Sequence, residues 1–384
     1  MRGASPRPRC GSCATRTKRS PPVPGNGPRG STASPPSREG SGSSMPTSSP
    51  SGPHDGETTA RDRVVAVRSR VVAVLSAFRP EPALVERCAA LAPQVARVIV
   101  VDDGSGPAAE PVLAGLEQAG VLVLRQPENR GIGAAMNRGI EAAREVGIEF
   151  LVTFDQDSSV PEGFIAALVD EYDARAAEGL RVGMVAPEFF SATPQTRMEQ
   201  GRGFLEAYAP IQSGLLMPLS AIDELGPQRE DYFIDLVDTE YYLRARRAGL
   251  EAVCVPGLVL PHGFGHRLYL HFLGRRLRKR SGRPRMVAVS SPFRYYYRAR
   301  NRVVLNREYA ADPAGASLKR DARRDLLLDF AVALYSARGR LALLSVMRAG
   351  FRDGRRGVMG RMRDGIAARA SRVSWRHPVP PEGE

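Results

Sequence analysis

Three apolar runs decide the fold of this chain, and acidic residues follow two of them directly. The runs read VVAVL at 71–75, VARVIVVDDGS at 95–105 and FLVTFDQDS at 150–158. Short runs rich in β-branched residues, without polar alternation, are typical of strands that are buried on both faces of a parallel sheet. The sequence therefore predicts strands over 71–75, 95–101 and 150–154.

Helical segments and one further strand separate these runs. Helices are predicted around 82–91, around 108–119 and from the glycines at 131 and 133 to about 145, with a strand over 121–124. Strand and helix alternate through short joints, which predicts a doubly wound α/β fold with a mostly parallel central sheet flanked by helices. Ligands of such sheets bind outside the carboxyl ends of the strands. The acidic residues at two strand ends are therefore expected to face a ligand.

Composition divides the chain into three parts. Residues 1–63 consist largely of Pro, Gly, Ser, Thr and Arg, which predicts a disordered tail; an over-extended start, with Met45 as the initiator, is the alternative. The folded α/β domain is predicted at 64–308 and a basic helical extension at 309–384. Four cysteines are too few for a disulfide scaffold. No apolar run approaches the roughly 18 residues of a membrane-spanning helix.

The positive charge of the chain is concentrated in one segment. The formal net charge is +14, yet residues 61–251 carry −10, and residues 252–307 carry thirteen basic residues and no carboxylate. Basic residues interleaved with aromatic ones suit nucleic acid, an anionic membrane surface or a pyrophosphate-linked lipid; a solvated basic face is the plain alternative. The acidic mouth of the sheet and the lack of a named nucleic-acid motif argue against a nucleic-acid partner.

Asp155 and Asp157 are the strongest candidates for a metal site. They follow a predicted buried strand, and two carboxylates one residue apart can hold Mg²⁺ or Mn²⁺ against a diphosphate. The alternative is a solvated turn or a helix N-cap. His262, one of only five histidines in the chain, could complete this site beside Asp157, or it could be a hydrogen-bonded surface residue.

Asp102 and Asp103 also end a predicted strand. They suit either a tight turn or contacts with the base or ribose of a nucleotide. A dinucleotide-binding site of the NAD type is excluded, because no glycine-rich turn follows the first strand.

A third acidic group lies at 235–240. Asp238 is predicted to be the N-cap of a helix that contains the Glu240–Arg244 pair at i,i+4 spacing. An acid at a helix start inside a cleft can also act as a general base on a hydroxyl. Asp235 is the rival for that role.

In their order along the chain, these motifs resemble the inverting family 2 glycosyltransferases, and most of all the bacterial rhamnosyltransferases and galactofuranosyltransferases. The resemblance extends from about Val71 to Met362. The motifs are Val100–Ser105, Glu128–Gly133 with Asn137, Phe154–Ser158, Gln212–Gly214, Phe233–Asp235 with Asp238–Glu240 and Arg244, His262–Gly265, and Tyr295–Asn301.

The resemblance implies a GT-A fold for the catalytic domain at 64–308 and a nucleotide-sugar donor. Asp102 and Asp103 would then contact the pyrimidine and ribose, with Gly131 and Asn137 also in the nucleotide site. Asp155, Asp157 and His262 would hold the donor diphosphate through Mg²⁺ or Mn²⁺. Asp238 would be the base that takes the proton of the acceptor hydroxyl.

The sequence departs from the family pattern after the first strand. Many relatives read Thr-Tyr-Asn-Pro there, whereas this chain has Ala77-Phe78-Arg79-Pro80. Arg79 is therefore expected to contact phosphate rather than a base.

The resemblance implies transfer of a sugar, rhamnose from dTDP-rhamnose, to a hydroxyl of a cell-surface glycan or lipid-linked acceptor. The site of action would be the cytoplasm or the cytoplasmic face of the plasma membrane. A galactofuranosyltransferase that uses UDP-galactofuranose, or a basic nucleic-acid-binding protein, are the alternatives. The basic C-terminal helices suit a peripheral position on an anionic membrane or packing against the domain or a second subunit, as in a homo-oligomer.

Overall fold

The apolar runs form the centre of one mixed sheet in the computed structural model. The structure describes residues 60–196, 202–262, 266–272 and 274–380. The predicted disorder of 1–63 lies outside these residues except for its last four positions, where the first helix begins at Ala60.

The strands are numbered in chain order. They are β1 Val71–Ala77, β2 Arg97–Asp102, β3 Leu122–Arg125, β4 Phe150–Asp155, β5 Val182–Phe190, β6 Thr193–Pro194, β7 Leu205–Glu206, β8 Leu215–Pro218, β9 Glu251–Leu260, β10 His266–Tyr269, β11 His271–Phe272, β12 Arg275–Arg276, β13 Met286–Val289, β14 Ala337–Arg338 and β15 Ser374–Trp375.

The helices are numbered in the same way. They are α1 Ala60–Arg70, α2 Ala83–Leu91, α3 Glu110–Gln118, α4 Ile132–Arg144, α5 Phe164–Ala177, α6 Leu219–Leu225, α7 Val237–Arg247, α8 Arg294–Glu308, α9 Pro313–Ser336, α10 Arg340–Arg356 and α11 Asp364–Ala370. None of them, within the described part of the chain, combines the length and apolar character needed to cross a bilayer.

The central sheet has the order β3-β2-β1-β4-β8-β5-β9-β7, with β6 paired to β5. The ladders β3–β2, β2–β1, β1–β4 and β5–β9 are parallel. The strand β8 lies antiparallel between β4 and β5. The predicted α/β class, with a mostly parallel sheet flanked by helices, is therefore confirmed; the antiparallel strand was not predicted.

Side chains of β1 alternate between two hydrophobic layers, one on each face of the sheet. Val72 and Val74 pack in the layer that includes residues of α4 and α7. Val71, Ala73 and Leu75 pack in the layer that includes residues of α2 and α5. All five side chains are at most 2% exposed. Burial on both faces explains why this strand is continuously apolar.

Strand register brings the acidic strand ends to the same edge of the sheet. Ala77 of β1 pairs with Asp102 of β2, and Ser76, one residue earlier, pairs with Asp155 of β4. The carboxyl ends of three neighbouring parallel strands therefore open on one side, as predicted for a ligand site.

The aromatic part of the basic segment is interior. Tyr295, Tyr296 and Tyr297 in α8 are at most 2% exposed. Tyr295 packs with Leu343 and Met347 of α10 in one core cluster. The sequence favoured an aromatic surface here, and the correction has a simple cause: α10 covers this side of α8. Exposed basic residues lie instead in the β11–β13 region, at Arg275, Arg276, Arg278, Lys279, Arg280 and Arg283.

Gly139 sets the distance between α4 and the sheet, which gives a stability test. A Cβ at Gly139 would lie 2.2 Å from Cγ1 of Val74, so Gly139→Ala forces α4 away from β1. We expect a loss of about 1–3 kcal/mol in the free energy of unfolding, measured by urea denaturation. Gly115→Ala in α3 is the matched control, since its Cβ would meet only Val85 at 3.4 Å. It should be neutral or stabilising, and equal losses in both variants would contradict this account of α4.

Candidate active site

A cleft of about 1350 Å³ lies at the carboxyl edge of the sheet. It brings together most of the residues that the sequence singled out. Lining residues among them are Asp103, Gly131, Asp155, Asp157, Asp235, Asp238 and His262. Asp102 and Asn137 lie close behind this lining and act on it through hydrogen bonds.

Asp155, Asp157 and His262 form a cluster that can hold a metal ion. Asp155 ends β4, Asp157 follows it, and His262 comes two residues after β9. One ligand atom from each residue lies within 4.8 Å of the other two. Nδ1 of His262 is 3.5 Å from Oδ1 of Asp157. Two carboxylates and one imidazole suit a divalent cation; Mg²⁺ prefers the oxygens, and Mn²⁺ accepts the nitrogen as well.

Neighbouring side chains fix the imidazole of His262. Residues 158 and 262 form an antiparallel bridge, and the backbone N–H of His262 donates to Oγ of Ser191 at 3.0 Å. The ring of Phe190 lies 4.5 Å from the imidazole, centroid to centroid. Burial lowers the pKa of His262, although Asp157 opposes the shift. A neutral imidazole, which is the form that binds metals, is therefore favoured at neutral pH.

Negative charge is concentrated around Asp155. Burial, followed by repulsion from Asp157 and Asp238, raises the pKa of Asp155 to about 7, while Arg294 acts in the opposite direction. Carboxylates held this close in a partly buried site repel one another unless a cation or a proton joins them. The donor set therefore fits a divalent cation.

Asp103 shapes the wall of the cleft from within. Its carboxylate accepts hydrogen bonds from the backbone N–H groups of Arg130 and Gly131 at 2.8 and 2.9 Å, and from the side chain of Gln126 at 3.2 Å. Burial, outweighing these bonds, raises the pKa of Asp103. Asp103 thus fixes the turn before α4 and also lines the cleft.

Asp102 is held in a local turn. Its carboxylate accepts the backbone N–H of Ser105 at 3.1 Å and also the hydroxyl of Ser105. Asp102 is 3% exposed. These contacts match the tight-turn interpretation of the sequence; the proposed contact with a nucleotide would have to come from Asp103 and its surroundings.

Gly131 is required by a close approach of two loops. Its φ is +94°, and a Cβ there would lie 2.3 Å from the carbonyl oxygen of Phe233. The next residue, Ile132, donates its N–H to that oxygen at 2.8 Å. The turn before α4 is therefore fastened to the loop before α7.

Asn137 supports the same loop from α4. Its Nδ2 donates to the carbonyl of Gln228 at 3.0 Å, and its Oδ1 accepts the N–H of Gln228 at 2.8 Å. It also donates to Glu230 at 3.1 Å. Asn137 is 8% exposed, so the structure gives it a positioning contact with the chain that leads to Asp235 and Asp238.

Residues 233–236 adopt a backbone that their side chains rarely allow. Phe233, Asp235 and Leu236 have φ values of 66°, 65° and 63°. Non-glycine residues in this region cost about 1–3 kcal/mol each. Such a loop persists only where other contacts determine it, and α8 supplies them.

Asn301 of α8 holds the backbone of this loop. Its Nδ2 lies 2.8–3.1 Å from the carbonyl oxygens of Tyr232, Ile234 and Asp235. Its neighbour Arg300 donates to the carbonyl of Tyr232 at 2.8 Å. Both α8 side chains belong to fully buried residues. The sequence motif included these two residues without assigning them a role.

Asp235 is held by two arginines of α8. Its carboxylate lies 2.7 Å from Nη2 of Arg294 and 3.3 Å from Nε of Arg298. Burial alone would raise the pKa of Asp235, but the two guanidinium groups outweigh it and lower the pKa. A carboxylate occupied by two cations is a poor proton acceptor, so the geometry favours Asp238 over Asp235 as a base.

Asp238 is the second residue of α7, and the predicted N-cap role is wrong. The residue before the helix is Leu236, in a left-handed conformation. Oδ1 of Asp238 instead accepts the N–H of Thr239 at 2.7 Å, and Oδ2 accepts the N–H of Gln212 at 3.3 Å. Burial, outweighing these bonds, raises the pKa of Asp238, which strengthens it as a base. The predicted Glu240–Arg244 pair is present at 2.5 Å.

Arg79 lines the cleft at the end of β1. Its backbone has a φ of 52°, and its N–H donates to Oγ of Ser105 at 2.7 Å. The guanidinium lies 5.1 Å from the ring centroid of Phe78. This position is compatible with the expected phosphate contact, which stays a prediction.

Asparagine substitutions distinguish the contributions of Asp235 and Asp238 to stability. Asp235→Asn removes the counter-ion of Arg294 and one of the two counter-ions of Arg298, which keeps Asp329. We therefore expect it to lower the free energy of unfolding by about 2–4 kcal/mol. Asp238→Asn removes a charge that burial disfavours, and at pH 8 it should be neutral or stabilising. Thermal denaturation of both variants at pH 8 provides the measurement. Equal destabilisation would show that Asp238 is also a structural carboxylate.

Part of the chain is similar to proteins of known family. The model of glycosyl transferase family 2 matches residues 73–213. The dTDP-rhamnosyl transferase RfbF of Shigella flexneri is 26% identical over 222 residues, which is 55% of this chain and 71% of that protein.

Among solved structures, glucosyl-3-phosphoglycerate synthase of Mycobacterium tuberculosis is similar at 18% identity. Its complex with phosphoglyceric acid covers 55% of this chain and 78% of the synthase, with a TM-score of 0.38. Its complex with Mn²⁺, UDP and glucosyl-3-phosphoglycerate has the same coverage and a TM-score of 0.37. The firmer comparison is the sequence match, in which residues 73–213 are similar to the model of glycosyl transferase family 2.

Proposed function

We propose that this protein is an inverting, metal-dependent glycosyltransferase that moves rhamnose from dTDP-rhamnose to a hydroxyl of a cell-surface glycan or lipid-linked acceptor. The observation that carries the proposal is the cleft that is lined both by the cluster of Asp155, Asp157 and His262 and by the half-buried Asp238. The family 2 domain supports the reaction class. The similarity to a dTDP-rhamnosyl transferase supports the donor.

The donor diphosphate would lie at the cluster. A divalent cation held by Asp155, Asp157 and His262 would neutralise the charge that develops on the departing diphosphate. Asp103 and the turn at Gly131 would border the nucleoside. Arg294 lies within the electrostatic reach of Asp155 and Asp238 and would add positive charge beside the reacting groups.

Asp238 would accept the proton of the acceptor hydroxyl. The hydroxyl oxygen attacks the anomeric carbon as the bond between that carbon and the diphosphate oxygen breaks. The products are the glycoside with inverted configuration, free dTDP and protonated Asp238, which returns its proton to solvent. The raised pKa of Asp238 suits this role, because a stronger base accepts a proton more readily.

The proposal extends to where the protein acts. The exposed basic residues of the β11–β13 region, among them Arg275, Arg276 and Lys279, would face the anionic cytoplasmic leaflet that carries a lipid-linked acceptor. Catalysis would then take place in the cytoplasm at the membrane surface.

A panel of nucleotide-sugars tests the donor. Purified protein is incubated with Mn²⁺ and one of three donors: dTDP-rhamnose, UDP-galactofuranose or UDP-glucose. We expect the free nucleoside diphosphate, measured by chromatography, to be released fastest from dTDP-rhamnose. Asp238→Asn should lower kcat by about 10²–10⁴-fold with little change in donor affinity. If nucleotide is released only from UDP-galactofuranose, that sugar nucleotide is the donor and dTDP-rhamnose is not. Full transfer by Asp238→Asn would show that Asp238 is not the base.

Metal removal tests the cluster. Excess chelator should abolish nucleotide release, and Mg²⁺ or Mn²⁺ should restore it. Asp157→Asn should raise the metal concentration needed for half-maximal activity by at least about tenfold. Glu162→Gln, an exposed carboxylate five residues on, is the control and should leave that concentration unchanged. Undiminished activity in chelator would contradict the metal role.

A further inference from the structure

One face of α8 carries three arginines at four-residue spacing. Arg294, Arg298 and Arg302 lie one above the other, because residues i and i+4 share a helix face. The first two donate to Asp235, and Arg298 also donates to Asp329 at 2.8 Å. Arg302 differs from both. Within the described residues, its Nε and Nη1 atoms are buried and have no hydrogen-bond partner.

An unpaired buried guanidinium is unfavourable in the folded protein. Donors removed from water without a partner cost free energy, and a cation costs more than a neutral group. Burial lowers the pKa of Arg302, although the charge of Asp238 opposes the shift. The carboxylate of Asp238 is thus close enough to interact electrostatically with Arg302. Its oxygens, however, accept hydrogen bonds from the N–H groups of Thr239 and Gln212.

Gln212 presents a second unpaired donor at the same place. The residue is 4% exposed, and its Nε2 has no partner among the described residues. Its backbone N–H donates to Asp238, and its carbonyl accepts the hydroxyl of Thr153 at 2.5 Å. Gln212 and Arg302 both line the cleft. Two unsatisfied donors therefore flank the carboxylate that we propose as the base.

The position of these donors separates them from the diphosphate. The diphosphate of the nucleotide-sugar would be neutralised by the cation at Asp155, Asp157 and His262 and by the nearby Arg294. Arg302 interacts electrostatically with Asp238 and with the tyrosines at 208 and 232. Arg302 is thus beside the proposed base, and an acceptor hydroxyl has to bind there to give up its proton.

We propose that Arg302 and Gln212 form a subsite for an acidic group of the acceptor, a carboxylate or a phosphate next to the hydroxyl that reacts. The inference rests on the proposed function. A guanidinium can bind either group through two parallel hydrogen bonds, and the carboxamide of Gln212 adds a third donor. A neutral acceptor would leave these donors unpaired, so the subsite selects for an acidic one.

Thermal denaturation of the ligand-free protein provides the first test. Arg302→Met keeps the aliphatic stem and removes two buried nitrogens that have no hydrogen-bond partner within the described residues, so we expect it to raise Tm by about 2–4 °C. Arg298→Met removes a cation that has partners and should lower Tm. If Arg302→Met lowers Tm as much as Arg298→Met does, Arg302 has a structural role and the subsite is refuted.

Anion binding provides the second test. With Mn²⁺ and saturating dTDP present, sodium D-glucuronate or sodium phosphate should raise the Tm of the unaltered protein relative to sodium chloride at the same ionic strength. Glucose is the neutral control. Arg302→Gln should lose at least about 90% of this shift. Arg302→Lys should retain part of the shift, because lysine keeps the positive charge but lacks the two parallel N–H donors of the guanidinium.

The control variant is Arg307→Gln, which removes an exposed charge of the same helix and should keep the full shift. An anion effect that is equal in Arg302→Gln and in the unaltered protein, or the absence of an effect from both anions, would overturn the subsite. A protein that does not bind dTDP but keeps an Arg302-dependent anion effect would refute the proposed donor alone. Comparison of glucuronate with phosphate identifies the acidic group.

Discussion

The ion pairs of Asp235 with α8 are the interaction on which the cleft depends. The three left-handed residues of the loop, Phe233, Asp235 and Leu236, turn the chain so that α7 begins at Val237. Without the guanidinium groups of Arg294 and Arg298, the buried carboxylate of Asp235 would be strongly unfavourable. The side chain of Asn301, on the same helix, binds the backbone of the loop. The helix α8 thus holds the loop that leads to Asp238, although it contributes no carboxylate to the cleft.

The charges of the cleft are arranged so that a ligand completes them. Burial, together with repulsion from Asp157 and Asp238, raises the pKa of Asp155. Near Asp238, Arg302 has two buried nitrogens without a hydrogen-bond partner within the described chain. Excess negative charge on one side and an unpaired cation on the other both destabilise the free protein. Such local costs are typical of binding sites, where bound groups relieve them.

Much of the fold could be predicted because its signals are local. The apolar runs at 71–75, 95–101 and 150–154 locate both ends of β1, β2 and β4 to within two residues. Burial on both faces dictates a continuous apolar sequence, and parallel pairing places the acidic strand ends together. The direction of β8 could not be predicted, since its four residues, LLMP, carry no information about which neighbours they pair with.

The predictions that failed depend on contacts between distant residues. Nothing local in Phe233-Ile234-Asp235-Leu236 indicates a left-handed backbone, because its cause is Asn301, more than sixty residues later. The N-cap predicted at Asp238 was wrong for the same reason: the loop enters the helix two residues earlier than capping patterns suggest. The four-residue spacing of Arg294, Arg298 and Arg302 was a usable signal, since it places all three on one helix face.

The distribution of arginine shows why net charge alone misleads about function. Residues 252–307 carry thirteen basic residues and no carboxylate, but Arg294, Arg298 and Arg300 bind partners inside the protein. Most of the exposed charge in the described part of this segment lies around 275–285.

The proposed site extends beyond the part of the chain that matches the family model. The matched domain ends at residue 213, whereas Asp238, His262 and Arg302 lie beyond it. The matched residues therefore supply the sheet edge and two of the proposed metal ligands. The elements α7, β9 and α8 then bring the proposed base, the third ligand and the unpaired cation to that edge. The residues that we propose for the acceptor side therefore lie outside the part of the chain that matches the family model.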